Sequence, residues 1–385
     1  FSSIIGPVIG GLITDQISWR WVFFINLPVG IVAAIIIGVA LKEPRTTNKP
    51  TIDYLGASLL MIAISILMLA MVEGGSTSLF AAENLALFAL AVVLLAAFVF
   101  VEMRAKDPII PFDLFKNKTI SIAILAGFLG GVAMFGAISF IPLFAQGSLG
   151  FSATAAGSLL TPLMLTWVTA SVIGGRLMLK IDQRRITIAG FVVLTLGFVL
   201  LAMFQPGTPR IFLYLELMMV GTGLGFTMLT LLIAVQQAVE RSQLGIATSL
   251  NQFSRSIGGA IGVAIMGAVL TAGLASNLKA AAMSGNAGMT VEQAVAFASN
   301  PNALIEPTAK SQLPPQMLEA LQAALAASIH PVFWVGAFMS LLGGIAVLFL
   351  PSSKVGHEHE VDGERLIMAE QTNINARNQP VAETE

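Results

Sequence analysis

Residues 6–11 read Gly6-Pro7-Val8-Ile9-Gly10-Gly11, and the chain soon continues as Trp19-Arg20-Trp21-Val22-Phe23-Phe24-Ile25-Asn26-Leu27-Pro28-Val29-Gly30. A proline beside a glycine, with a glycine pair one turn on, gives an apolar helix a bent and notched face. Another helix can lie closely against such a face, and the bend suits a helix that rocks. Working outward, 56% of the 385 residues are hydrophobic and 11% are charged, against roughly a quarter charged in a soluble domain. A mean hydropathy of +0.85 over the chain calls for many membrane spans rather than one anchor.

The net charge of −1 gives no basis for a nucleic-acid partner. The absence of cysteine excludes disulfides, thiolate metal sites and cysteine nucleophiles together. The chain opens on Phe1 inside an apolar run with no basic stretch ahead of it. No signal peptide is therefore read there, and an N-terminal part is expected to be missing.

Apolar runs of about 18 residues or more mark spans. The end of one lies at 1–14, and nine more follow at 22–41, 54–72, 84–101, 119–145, 154–175, 186–204, 211–235, 245–272 and 329–350. Of the 20 cations, Arg20, Arg210, Lys279 and Lys310 fall in connections on one side. All the others except Arg255 fall on the opposite side, among them Lys42, Arg45, Lys49, Arg104, Lys106, Arg176, Lys180, Arg184 and Arg185. The basic side is read as cytoplasmic, which places Trp19 and Trp21 at the outer head-group level and the polar tail, 351–385, inside. That tail has no apolar period and is expected to be disordered.

Two connections are longer than turns. Residues 102–118 read as a half-buried connector on the inner membrane surface. The outer segment 273–328 reads as a loop in which Pro314-Pro315 opens a surface helix, with Leu318, Leu321, Leu325 and Ile329 at helical spacing, running into the last span. A contact site for a periplasmic partner is the sharper reading of the same segment.

Enzyme signals are absent. The histidines are His330 at a membrane edge and His357 and His359 in the tail, and no metal site or cofactor is read. Gly221-Thr222-Gly223-Leu224-Gly225 lies inside a span, with no strand before it and no Lys-Ser/Thr after it, so it is helix packing rather than a phosphate loop. No nucleotide-binding sequence is present, which leaves ion gradients as the energy source.

Glu216 and Arg255 are the charges inside the runs, and a charge there costs at least about 2.5–3.5 kcal/mol on insertion scales. Glu216 is a proton site or an interfacial carboxylate. Arg255 is a helix tether, a snorkelling head group or a cavity cation. Phe135, Phe140, Met164, Trp167 and Asn251 are candidate cavity residues, because soft and aromatic side chains adapt to varied ligands. The same side chains equally fill packed or lipid-facing surfaces.

The pattern Gly6-Pro7-x-x-Gly10-Gly11, followed by Trp19-Arg20-Trp21, Asn26-Leu27-Pro28 and Gly30, resembles the major facilitator superfamily, and within it the fourteen-span drug:proton antiporters. The likeness continues in Ile52-Asp53-Tyr54-Leu55-Gly56, Leu114-Phe115-Lys116-Asn117 and Asn251 to Gly259. It implies an all-α polytopic membrane protein of the facilitator fold, with about nine full transmembrane helices and one partial helix present. Residues 1–101 would hold the end of the N-terminal bundle and two extra linker spans. Residues 119–350 would hold the C-terminal six-helix bundle, with its outer loop at 273–328.

The resemblance further implies proton-coupled export of small amphipathic or cationic organic compounds through the cytoplasmic membrane, with the motif at Gly6, Pro7, Gly10 and Gly11 restricting leak. Two rivals stand beside it: a transporter of one metabolite, lipid precursor or siderophore, and a non-transporting subunit that binds a periplasmic adaptor protein. In the cytoplasmic gating loop this chain departs from the family pattern. Leu179 stands where that pattern has Asp, and Asp182 where it has a second Gly.

Overall fold

The computed structural model describes residues 2–40, 53–76, 81–105, 108–205, 207–284, 288–299 and 313–352, without the side chains of 2–4, 72, 74–76 and 299. The cations of the connection 42–52, Lys106, Lys310 and the tail from residue 353 lie outside the described residues.

Each apolar run folds as a helix, because in lipid every backbone polar group must be satisfied within its own segment. The helices are α1 (Ser2–Gln16), α2 (Trp21–Ala40), α3 (Tyr54–Ser76), α4 (Ala82–Glu102), α5 (Lys118–Leu143), α6 (Ala153–Leu177), α7 (Gln183–Met203), α8 (Arg210–Gln237), α9 (Leu244–Met283), α10 (Val291–Ser299) and α11 (Pro315–Val347). Among the described residues, nine of these are long and apolar enough to cross a membrane.

Side-chain caps mark the starts of α5, α6 and α7. Asn117 accepts from the Thr119 amide at 2.9 Å, Ser152 from Ala155 at 3.2 Å and Asp182 from Arg184 at 2.9 Å, each satisfying a donor with no partner inside the helix. Between α5 and α6 a π-helical turn, Phe144–Ser148, ends at Gly150. Its φ of 71° is the left-handed conformation that glycine adopts without steric cost.

The core joins α5, α6, α7, α8, α9 and α11. Glycines set the closeness of their seams. A Cβ on Gly223 would lie 2.6 Å from the Leu194 amide nitrogen, and one on Gly225 would lie 2.5 Å from the Trp167 carbonyl oxygen. The helices therefore meet backbone to backbone, the cohesion available where lipid removes the hydrophobic drive. α3 pairs with α4 and also touches α9, whereas α1 packs on α6. α2 has no buried residue.

The connector between α4 and α5 includes a 3₁₀ turn, Phe112–Lys116, with Leu114 buried. It is pinned to α4 by Glu102, which is 2% exposed and whose Oε1 accepts from the Ile110 amide at 2.5 Å. Asp53, in the Asp-Tyr-Leu-Gly stretch, caps α3 by accepting from the Gly56 amide at 2.8 Å.

The outer segment differs from expectation. α9 does not end near 272 but runs on to Met283, whereas the last helix opens at Pro315, as read, and continues unbroken through the span. At 40 residues α9 is about 60 Å long, roughly twice the hydrocarbon thickness. Leu270, Leu274 and Leu278 continue one stripe down α9 and share a buried cluster with Leu321, Leu325 and Ile329 of α11. Asn277 donates to Ser328 Oγ at 2.9 Å across that pair. α10 packs on α9, with Ala294 and Ala298 buried. The expected surface helix is thus the packed first half of α11. Its apolar stripe had a partner that hydropathy alone did not mark, since alanine and Lys279 lower the average without breaking the helical period.

Candidate functional site

The seam between α1 and α6 is built from the stretch that opens the chain. A Cβ on Gly11 would lie 2.6 Å from the Ala153 carbonyl oxygen and 2.8 Å from Thr154 Cα. One turn further along, a Cβ on Gly157 would run into the Pro7 carbonyl oxygen. Gly11 therefore forms the notch on one helix and Gly157 the notch on the other. Gly6 and Gly10 meet nothing within 4 Å where a Cβ would stand; the Gly10 carbonyl accepts from the Thr14 hydroxyl at 2.8 Å.

Just past the apolar run, Asp15 reaches across and caps α6. Its Oδ1 accepts from the Ala153 amide at 3.1 Å, and its Oδ2 accepts from the Thr154 amide at 2.7 Å and the Thr154 hydroxyl at 2.5 Å. Partial burial raises the Asp15 pKa. Hydrogen bonds from the Thr154 hydroxyl, the Thr154 and Ala153 amides and the Ser152 side chain outweigh it and hold the carboxyl below its ordinary value. An acidic side chain at a helix N-terminus also gains from the helix dipole. Sequence reasoning missed Asp15, Thr154 and Gly157. The Gly6–Gly11 motif showed that α1 would be approached closely, but not by which helix.

The aromatic stretch at the start of α2 is exposed, with Trp19 at 60% and Trp21 at 54%. Trp19 meets Phe23 edge-on with centroids 6.0 Å apart, and Trp21 meets Phe24 at 5.9 Å. The Arg20 guanidinium lies 5.8 Å from the Trp19 ring, a grouping suited to head-group level. Asn26 donates to the Val22 carbonyl at 2.9 Å, Pro28 lies within α2, and Gly30 has open space beside it.

The remaining candidates, apart from Phe140 and Glu216, lie along two seams. Along α5 and α9, a Cβ on Gly127 would stand 3.2 Å from Asn251 Oδ1, one on Gly131 would strike the Arg255 carbonyl, and one on Gly259 would strike the Phe135 ring. Arg255 Nη2 donates to Gln252 Oε1, while its Nε is buried without a partner. Phe140 is buried in the main core. Along α6 and α8, the Trp167 carbonyl faces Gly225, and Met164 and Trp167 are partly buried against the core. Glu216 on α8 is 7% exposed, and its Oε2 has no hydrogen-bond partner. Burial without a partner is the costly state for such a group. Among the described residues no group of three or more His, Cys, Asp or Glu side chains could hold a metal.

These features define an all-α polytopic membrane protein whose helices meet through glycine-lined seams, one of them closed by a carboxylate cap between helices far apart in sequence. The chain belongs to the major facilitator superfamily, whose family model matches residues 1–263. It is 36% identical over 378 residues to the multidrug transporter protein MdtP of Bacillus subtilis, covering 94% of this chain and 70% of that protein. It is 35% identical over 357 residues to multidrug resistance protein 3 of the same organism, covering 92% and 69% respectively. Against the multidrug export protein EmrB of Escherichia coli the identity is 30% over 265 residues, covering 68% of this chain and 52% of that protein.

Proposed function

We propose that the protein exports amphipathic, often cationic, organic compounds across the cytoplasmic membrane in exchange for protons, by alternating access. The α1–α6 seam carries this reading. Two helices from different parts of the chain approach backbone to backbone and are held at one end by polar contacts that break without disturbing either helix, as rocking bundles require. The names of the relatives, multidrug transporter, multidrug resistance protein and multidrug export protein, support efflux.

In this reading residues 1–101 close the N-terminal bundle and add the two linker spans, 119–350 form the C-terminal bundle, and the tail 351–385 is cytoplasmic. Asp15 sits on the outer side and latches the outward path shut. Glu216 is the proton-exchanging carboxylate of this part of the chain, and Asn251, Arg255, Met164 and Trp167 border the moving seams. The test is transport by the complete gene product in proteoliposomes loaded with a pH-sensitive dye. Drug-dependent proton movement supports exchange. A response to one metabolite and to no lipophilic cation would replace the multidrug reading with a single-substrate one.

A further inference from the structure

An apolar groove of about 340 Å³ runs between α7 and α11, with walls from Ile188, Val192, Leu196, Leu341 and Ile345. It exists because α11 carries Gly343 and Gly344 where it crosses Phe191. A Cβ on Gly343 would strike that ring, and one on Gly344 would stand 3.2 Å from the Phe191 Cβ. The polar groups in its floor are satisfied, Thr195 Oγ1 lying 3.0 Å from Ser340 Oγ and 2.8 Å from the Phe191 carbonyl. The groove therefore offers an occupant apolar contact alone.

Its end at the start of α7 is different. Arg184 Nη2 donates to the Leu348 carbonyl, which ties the guanidinium to the end of α11. Arg185 is exposed, and its side chain makes no hydrogen bond or ion pair among the described residues. Arg185, Ile188 and Val192 follow one helical stripe at i, i+3 and i+7, so the free cation stands over the mouth of the groove. The nearby Asp182 is engaged in capping α7 and accepting from Ser352. A cation pair at the basic membrane face, continuous with a lipid-facing apolar slot, complements a ligand with an anionic head and a hydrocarbon tail.

We propose that this groove binds one anionic phospholipid, its acyl chain between α7 and α11 and its phosphate on Arg184 and Arg185. The site is separate from the α1–α6 seam and does not depend on the export reading. Each basic side chain at such a surface contributes about 1 kcal/mol, or about fivefold in affinity.

The test is native mass spectrometry of the complete protein in neutral detergent, titrated with phosphatidylglycerol and with phosphatidylcholine of the same chains. The expected result is retention of one phosphatidylglycerol in preference to phosphatidylcholine. Arg185→Gln, which changes an exposed side chain that makes no hydrogen bond or ion pair among the described residues, should lower that retention about fivefold. Val192→Trp, which fills the groove from its lipid side, should abolish it. Equal retention of both lipids, or retention unchanged in both variants, overturns the site. Displacement of the lipid by millimolar glycerol phosphate, with Val192→Trp without effect, would show head-group binding alone and would also overturn it.

Discussion

Replacing Asp15 with alanine removes the three hydrogen bonds that join α1 to the first turn of α6. Deleting a capping side chain costs about 0.5–2 kcal/mol. Here the cost falls on the contact between the helices, because Ser152 still caps α6 from within its own segment. The closed-to-open ratio at the outer end should therefore fall by about 2- to 30-fold. The sequence contains no cysteine, so Ile17→Cys and Leu149→Cys can carry a spin-label pair whose distance distribution reports the gap in lipid nanodiscs. The short distance should dominate in the parent, and Asp15→Ala should add a long-distance population. Asp15→Asn, which keeps one acceptor oxygen, should add less. Identical distributions for the parent and Asp15→Ala would refute the latch.

Further outcomes follow from the same geometry. The Asp15 pKa lies below its ordinary value, so the cap is complete above the unfolded-state value of about 3.9 and is lost only as pH falls through the lower folded value. The spin-label distances should be constant between about pH 5.5 and 8, and a transition within that window would contradict the assignment. Gly157→Leu would force a side chain into the Pro7 carbonyl; overpacking of this kind costs about 1–3 kcal/mol, so the same label pair should lengthen with Asp15 intact. Glu216→Gln should leave drug binding in place and abolish drug-dependent proton movement in proteoliposomes, whereas unchanged coupling would put the proton site elsewhere. Asn117→Ala removes the α5 cap and a 3.2 Å bond to the Ala238 carbonyl. It should lower stability by about 1 kcal/mol in thermal unfolding without altering the α1–α6 distance.

The membrane helices were legible because a span must be a nearly unbroken apolar run, and the run itself is the signal. The extensions of α9 beyond 272 and of α11 before 329 were not marked by hydropathy, since Leu274 and Leu278 bury against a helix that begins after a long intervening segment. The glycines announced close packing, yet only the fold pairs Gly11 with Ala153 and Gly157 with Pro7. Asp15 was invisible for the same reason. A lone carboxylate past a span reads as an ordinary surface charge until its partner, 139 residues away, is beside it. Glu216 and Arg255 could be singled out from cost alone, because a charge in an apolar run needs a reason. That reasoning did not reveal that Arg255 stands where α9 meets α5.

Proton exchange is the central claim, and it is tested most directly with the complete gene product in proteoliposomes under an imposed pH gradient, following the gradient as lipophilic cations are added. The account predicts that transported compounds dissipate the gradient in proportion to their flux and that Glu216→Gln uncouples the two. Flux of the compounds with the gradient untouched, in protein shown to be folded and inserted, would contradict it.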